Sequence, residues 1–147
     1  MEWAWLPQAS GEDADIETQC TRHLWATSRS LHTNPITGLL YGSVELSPAK
    51  KIAETRAWQQ CEVINAAIAL MDDDHHHFSL QVQKETALLM SAHIPERSNG
   101  LWVDRIDGNG NAASKSVPAG TLFHLMRTAM HLVSAGLASH QDGSTAT

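Results

Sequence analysis

The sequence has few basic residues and no long apolar segment. Its 147 residues include 10 Lys and Arg against 16 Asp and Glu, which gives a formal net charge of −6. Because affinity for nucleic acid depends on neutralising phosphates with basic side chains, this balance argues against a nucleic-acid partner. No apolar run approaches the ~20 residues that a membrane-spanning helix needs, so we also expect no membrane partner.

Cysteine is scarce as well, since the chain contains only Cys20 and Cys61. Two cysteines do not form the disulfide framework of a small secreted domain. Residues 1–5 also lack the basic region of a secretory signal. These absences predict a cytoplasmic protein with free thiols. Each cysteine lies within an apolar helical stripe, so we expect buried thiols and no cysteine nucleophile.

The abundant residues are apolar, at 42% of the chain, and they recur with the spacing of amphipathic helices. This periodicity predicts an all-α protein with helices over 14–33, 57–71, 75–94 and 119–138. The buried face predicted for the first helix consists of Ile16, Cys20, Leu24, Thr27 and Leu31. The buried face predicted for the last helix consists of Leu122, Leu125, Met126, Ala129, Leu132, Val133 and Leu137.

Two stretches between the helices predict short β-hairpins. Segments 38–46 and 100–106 both begin with Gly-Leu, and the second leads into a hairpin turn over 107–110. The two segments are 62 positions apart, so the repeating unit is helix, helix, hairpin. Such units bury their apolar faces only against neighbouring units. This chain contains little more than two such units. We therefore expect an open arc whose apolar edge is exposed, or is covered by a partner or a second copy.

Three helix starts meet at one rim if the helices alternate between an inner and an outer ring. They belong to the N-terminal segment 2–6 and to the second and fourth predicted helices. Polar and aromatic residues that converge at one end of a helical ring suit a small-molecule pocket. The first turns of these helices carry Glu2, Trp3, Trp58, Glu62 and His124.

Several of these side chains suit sugar chemistry. His124 is the candidate for proton transfer, because a pocket histidine titrates near neutral pH. Trp58 and Glu62 are typical of a sugar site, in which an indole stacks on the ring and an acid accepts hydroxyl hydrogen bonds. Arg56 is unfavourable at a helix N-terminus, so we expect it to pair with Glu62 or Glu2 or to hold a ligand oxygen. The spacing leaves open a structural histidine, a core tryptophan and an exposed acid.

The acidic and histidine-rich segment 72–77 indicates a helix start more than a metal site. Adjacent histidines do not share a helix face, whereas an aspartate caps free N–H groups at a helix N-terminus. The sequence also contains no phosphate-binding glycine loop and no nucleophile elbow. Nucleotide binding and serine hydrolase chemistry are therefore unsupported.

Four segments match, in order, the motifs of one known family. They are Glu2-Trp3-Ala4-Trp5-Leu6, Arg56-Ala57-Trp58-Gln59-Gln60-Cys61-Glu62, Gly100-Leu101-Trp102 with its Asp107-Gly108 turn, and Phe123-His124. Together they resemble the N-acylglucosamine 2-epimerase family, which includes mannose and sulfoquinovose isomerases. The sequence departs from the family pattern at Pro7, at Gln59 where the family usually has proline, and at Cys61 where threonine is common.

The resemblance implies part of an (α/α)6 barrel with short hairpin insertions. Residues 1–139 would be the C-terminal part of this single domain, and residues 140–147 a flexible tail. It also implies isomerisation or C2 epimerisation of mannose-type or N-acylglucosamine-type sugars, with neither a cofactor nor a metal. The implied catalytic residues are His124 and Glu2, and the implied substrate-binding residues are Arg56, Trp58, Glu62 and Trp3.

The length suggests that the chain is truncated. A barrel of six helix pairs needs ~370 residues at this repeat length. The family's other catalytic histidine precedes the motif that begins at Glu2, where this sequence starts. We therefore expect the chain to be weakly active alone. One alternative is a non-catalytic paralogue that binds carbohydrate or a partner. Another is a glycoside hydrolase, for which Glu2 and Glu62 are the best carboxylate pair.

Overall fold

Four helices dominate the computed structural model, which describes residues 14–44, 51–95 and 101–137. They are α1 (Ala14–His32), α2 (Ala57–Ala69), α3 (His75–His93) and α4 (Ala119–Ser134). The four predicted helices are confirmed, although α2 and α4 end a few residues earlier than the periodicity indicates. The predicted domain boundary after residue 139 and the predicted tail lie outside the described residues.

Four short strands form two antiparallel pairs. They are β1 (Ser43–Val44) with β2 (Lys51–Ile52), and β3 (Thr55–Arg56) with β4 (Arg105–Ile106). The predicted strands are therefore much shorter in the structure. The predicted turn over 107–110 is present, because the Asp107 N–H donates to the Asn111 carbonyl at 2.8 Å and Gly110 has a positive φ of 92°.

Helix α2 is the central element and packs against α3, α4 and α1. Every residue from Gln60 to Ala67 is buried, as expected for a helix that has neighbours on all sides. Small side chains such as Ala66 and Ala67 let those neighbours approach closely. The core around α2 is completed by residues of all three other helices and of the loop after α1, among them Trp25, Leu40, Phe78, Val82 and Leu89.

Gln59 fixes the N-terminus of α2 in place. Its side-chain oxygen Oε1 accepts the backbone N–H of Arg56 at 2.9 Å, and its Nε2 donates to the carbonyl of Gly42 at 3.1 Å. The first bond is the reciprocal half of a capping box, which satisfies a backbone donor at the helix start. The second bond ties the loop before β1 to the same turn. Proline, which the family usually has here, supplies neither bond.

Helices α2 and α4 lie side by side and run parallel. Glu62 contacts His124 near the start of both helices, and Asn65 contacts His131 farther along both. The prediction that the second and fourth helices start at the same rim is therefore confirmed. The N-terminal segment 2–6, predicted at the same rim, lies outside the described residues.

The buried face predicted for α1 is wrong. Ile16, Leu24 and Leu31 are exposed, and so is Cys20. Thr21, Trp25 and Ser28 form the buried side instead. Trp25 supplies most of the apolar contact, because its ring packs edge-on against Phe78 with centroids 5.8 Å apart. One large ring thus orients the helix in place of the expected stripe of smaller residues.

The buried face predicted for α4 is only partly correct. Leu125, Leu132 and Leu137 pack against the core. The other large residues of the predicted face are exposed, and the most buried residues of this helix are two threonines, Thr121 and Thr128, whose hydroxyls donate to Asp104 and to the carbonyl of Cys61. The exposed apolar residues are Leu122, Phe123, Met126, Met130 and Val133. Whether a partner or a second copy covers this face stays a prediction.

His93 closes α3 and is fully buried. Its Nδ1 donates to the carbonyl of Val103 at 2.7 Å, which ties the end of α3 to the segment before β4. Burial lowers the pKa of His93, and the Val103 bond and the charge of Asp104 only partly oppose this shift. The unfolded chain therefore takes up a proton at a higher pH than the folded chain does. The contribution of neutral His93 to stability is present above the unfolded pKa and is lost as the pH falls below it.

Between about pH 7.5 and about pH 5.5, we expect the free energy of unfolding to fall less in His93→Gln than in the unaltered chain. The difference between the two chains has an upper limit of about 1.4 kcal/mol per pH unit, the value for one titrating group. Urea unfolding at both pH values measures it. His76→Gln, at an exposed position in the first turn of α3, is the control and should keep the original pH dependence. Equal pH dependence in His93→Gln and the unaltered chain would contradict the assignment.

Candidate active site

A cavity of about 270 Å³ lies between the first turns of α2 and α4. Because the two helices run parallel, their N-termini open onto the same space. Three residues selected from the sequence, Arg56, Trp58 and His124, line it together with residues that open α4. The full lining set is Arg56, Trp58, Pro118, Gly120, Thr121 and His124.

Glu62 lies behind the cavity and holds His124. The Glu62 side chain is 0% exposed, and its Oε1 is 2.7 Å from Nδ1 of His124. The same oxygen accepts a hydrogen bond from Nη2 of Arg127 at 2.5 Å. A buried carboxylate is stabilised when charged or polar donors surround it in this way. The spacing left open that Glu62 is an exposed acid, and this alternative is therefore wrong.

The bond to Glu62 determines which nitrogen of His124 is available for chemistry. A carboxylate oxygen of an ionised glutamate only accepts, so Nδ1 of His124 carries the proton and donates it. Nε2 then holds the lone pair. A carboxylate behind a histidine also fixes the orientation of the ring. Glu62 therefore sets how the His124 ring lies at the cavity.

Aromatic rings flank His124 on two sides. The Trp58 ring is 5.7 Å from it between centroids at an angle of 41°, and the Phe123 ring is 5.6 Å from it at 81°. The guanidinium of Arg127 lies over Phe123, 5.0 Å from the ring centroid. Trp58 therefore offers a flat apolar surface beside the histidine, which is the arrangement that an indole needs to stack on a sugar ring.

Arg56 has a different partner from the one predicted. Its Nε and Nη2 donate to Oδ2 of Asp104 at 3.1 and 2.9 Å, so the expected pairing with Glu62 is wrong. Asp104 is 2% exposed and also accepts the Thr121 hydroxyl on Oδ1 at 2.7 Å. Arg56 is held by the protein and still lines the cavity.

Three residues of the site were not selected from the sequence. Thr121 and Arg127 lie three positions before and after His124, so helical spacing already placed them on one face with it. Asp104 gave no such signal, because it is 48 positions from Arg56 and the two meet only through the pairing of β3 with β4.

Other predicted residues have the following outcomes. Glu2 and Trp3 lie outside the described residues. Burial raises the pKa of the Cys61 thiol to about 12, which keeps it protonated and unreactive, whereas Cys20 is exposed.

Asp74 caps α3 by accepting the backbone N–H of His77 at 2.9 Å, as the helix-start interpretation predicts. No cluster of three metal-ligating side chains occurs in the part of the chain that the structure describes.

The parallel inner helices and the cavity at their starts define part of an (α/α)6 barrel with a polar site at one rim. The family model for N-acylglucosamine 2-epimerase (GlcNAc 2-epimerase) matches residues 1–129, so the chain belongs to that family. The crystal structure of a D-mannose isomerase has the same fold, with a TM-score of 0.77 and 19% sequence identity. The match covers 90% of this chain and 35% of the isomerase chain. No curated protein sequence matches. None of the described helices has the length and apolar character to cross a membrane.

Proposed function

We propose that this chain forms one wall of the active site of a sugar isomerase that works by proton transfer without a cofactor. The observation that carries the proposal is the hydrogen bond from His124 to buried Glu62. His124 also lines the cavity, beside Trp58. Membership of the epimerase family and the likeness to a D-mannose isomerase support a sugar as the substrate class.

In the proposed reaction, Nε2 of His124 removes the proton from C2 of an open-chain aldose, next to the carbonyl. The electron pair of the broken C–H bond forms the C1–C2 double bond, and the π pair of the carbonyl moves to O1, which gives an enediolate. The O2 hydroxyl proton is transferred to O1, and the protonated histidine returns the other proton to C1. The product is the ketose. No atom or electron is gained or lost, so the step needs no co-reactant.

We take isomerisation, and not epimerisation, as the proposed reaction, because the likeness is to a D-mannose isomerase. Isomerisation moves a proton between C2 and C1 on one face of the enediol, which a single base such as His124 can perform. Epimerisation returns the proton to the opposite face of C2 and needs an acid there. The proposed reaction is the interconversion of an aldose such as mannose with its ketose.

Sugar binding in this proposal uses the remaining wall of the cavity. Trp58 stacks on the carbon skeleton, and Arg56 donates hydrogen bonds to hydroxyl oxygens. Glu2 and Trp3 keep their predicted roles, in catalysis and in substrate binding respectively, as part of the proposal. We expect slow turnover, because the described residues supply one side of the site and leave the apolar face of α4 exposed.

Incubation of the chain with D-mannose in D₂O tests the proposal. A base that removes the C2 proton exchanges it with solvent, so we expect deuterium in the sugar and the appearance of fructose by NMR. Formation of glucose without fructose would contradict isomerisation. Binding of mannose by calorimetry without deuterium exchange would instead support a carbohydrate-binding module. Neither binding nor exchange above the buffer rate would overturn the proposal.

A further inference from the structure

A single buried carboxylate joins the two helix starts that form the cavity. Asp104 lies directly before β4 and is 2% exposed. Its Oδ2 accepts Nε and Nη2 of Arg56, at the start of α2. Its Oδ1 accepts the hydroxyl of Thr121, in the first turn of α4. Its backbone carbonyl accepts the N–H of Ala57 at 2.9 Å. Three separate elements are therefore held together at Asp104.

We propose that Asp104 is a positioning residue that makes Arg56 and Thr121 a matched donor and acceptor for one sugar hydroxyl. This inference rests on the proposed function, since it assigns how the cavity recognises the sugar. Asp104 itself does not line the cavity, whereas Arg56 and Thr121 both do.

The hydrogen-bond inventory supports this assignment. A guanidinium has five N–H donors, of which Asp104 takes two, so three remain on Arg56. The Arg56 side chain is 43% exposed and lines the cavity. Thr121 has one hydroxyl proton, and the bond to Asp104 uses it. The Thr121 oxygen can then only accept.

A sugar hydroxyl both donates and accepts one hydrogen bond with ease. The pair held by Asp104 supplies one partner of each kind, with Arg56 donating and Thr121 accepting. A group that only accepts, such as a carbonyl or a carboxylate, satisfies Arg56 and leaves Thr121 without a donor. Asp104 thus selects for a hydroxyl at this point of the cavity.

Substitutions at Thr121 test the inference with little change in packing. Thr121→Val keeps the side-chain volume and removes the hydroxyl, and Thr121→Ser keeps the hydroxyl. We expect the Kd for D-mannose to rise about tenfold in Thr121→Val, the size of one lost hydrogen bond in a binding site. Thr121→Ser should restore the affinity. Asp104→Asn should weaken binding at least as much, because the amide cannot accept on both sides.

The control is Glu54→Gln, which removes the exposed ion pair at 3.2 Å between Glu54, directly before β3, and Arg105 in β4. Calorimetry measures Kd for all variants, and saturating mannose in D₂O measures the maximal exchange rate. A positioning role raises the apparent KM and keeps the maximal rate within about twofold. If Thr121 had only a structural role, Thr121→Ser and Thr121→Val would not differ in KM at an unchanged maximal rate.

Unchanged mannose affinity in both Thr121→Val and Asp104→Asn would overturn the inference while leaving the proposed function intact. If the unaltered chain binds no mannose, the proposed function fails, and this role fails with it. Asp104→Asn removes a buried charge and is the variant at risk of not folding. The comparison of Thr121→Val with Thr121→Ser then decides the outcome.

Discussion

His124→Ala is expected to lower deuterium incorporation into D-mannose by about 10²–10⁴-fold, the range that a positioned general acid or base contributes. The physical reason is the arrangement of the ring. Its Nδ1 donates to Glu62 at 2.7 Å, so Nε2 is the basic nitrogen, and His124 lines the cavity. Alanine removes the base and leaves the cavity larger. NMR of the C–H signals of mannose in D₂O measures the rate.

His131→Ala is the matched control for this variant. His131 is on the same helix, is also half-buried and bonds to Asn65 at 3.1 Å, but it does not line the cavity. We expect its exchange rate to stay within about threefold of the unaltered chain, because a substitution outside the reacting centre removes no transition-state contact. An exchange rate in His124→Ala as high as that of His131→Ala and of the unaltered chain would exclude His124 as the base, whereas comparably large losses in both alanine variants would point to general destabilisation.

Glu62→Leu is expected to cause the largest loss of stability, roughly 3–5 kcal/mol, the cost of leaving one partner of a buried ion pair alone. The Arg127 side chain is only 19% exposed and bonds to Glu62. His124 would lose its partner as well. The free energy of unfolding from urea titration measures the effect. The double variant Glu62→Leu with Arg127→Leu should recover much of the loss, since it leaves no buried charge.

Asp73→Asn is the control for the loss of an ion pair. It removes the bond between Arg22 and Asp73 at 2.8 Å, in which the Arg22 side chain is 58% exposed. Water competes for such charges, so we expect a loss of less than about 1 kcal/mol. If Glu62→Leu were as mild as Asp73→Asn, the interactions of Glu62 would contribute nothing beyond those of a surface pair.

The positions of the helices followed from the sequence because the signals that set them are local. Apolar residues recur every three or four positions, and Asp74 caps α3 where the aspartates predicted a start. The repeat spacing also placed Trp58 and His124 at one rim, and the structure brings both to one cavity. Periodicity and spacing are properties of the chain alone, so they need no knowledge of the neighbours of each helix.

The buried faces of α1 and α4 could not be predicted in this way. Apolar periodicity indicates burial only where buried residues are apolar, but Thr121 and Thr128 are buried in α4 while Phe123 is 61% exposed. These threonines are buried because other elements provide partners for them, which are Asp104 for Thr121 at 2.7 Å and the carbonyl of Cys61 for Thr128 at 3.4 Å. Asp104 was missed for a related reason, since its partners come from distant segments that only the folded chain brings together.

The register between α2 and α4 follows the predicted repeat. Glu62 and His124 are 62 positions apart, which is the spacing of the two hairpin segments. The two residues therefore stand at equivalent positions of successive units, as an acid in one and a histidine in the next. Because the Glu62 carboxylate also accepts a hydrogen bond from Arg127, loss of His124 leaves the buried acid paired, whereas loss of Glu62 removes the carboxylate that His124 and Arg127 share.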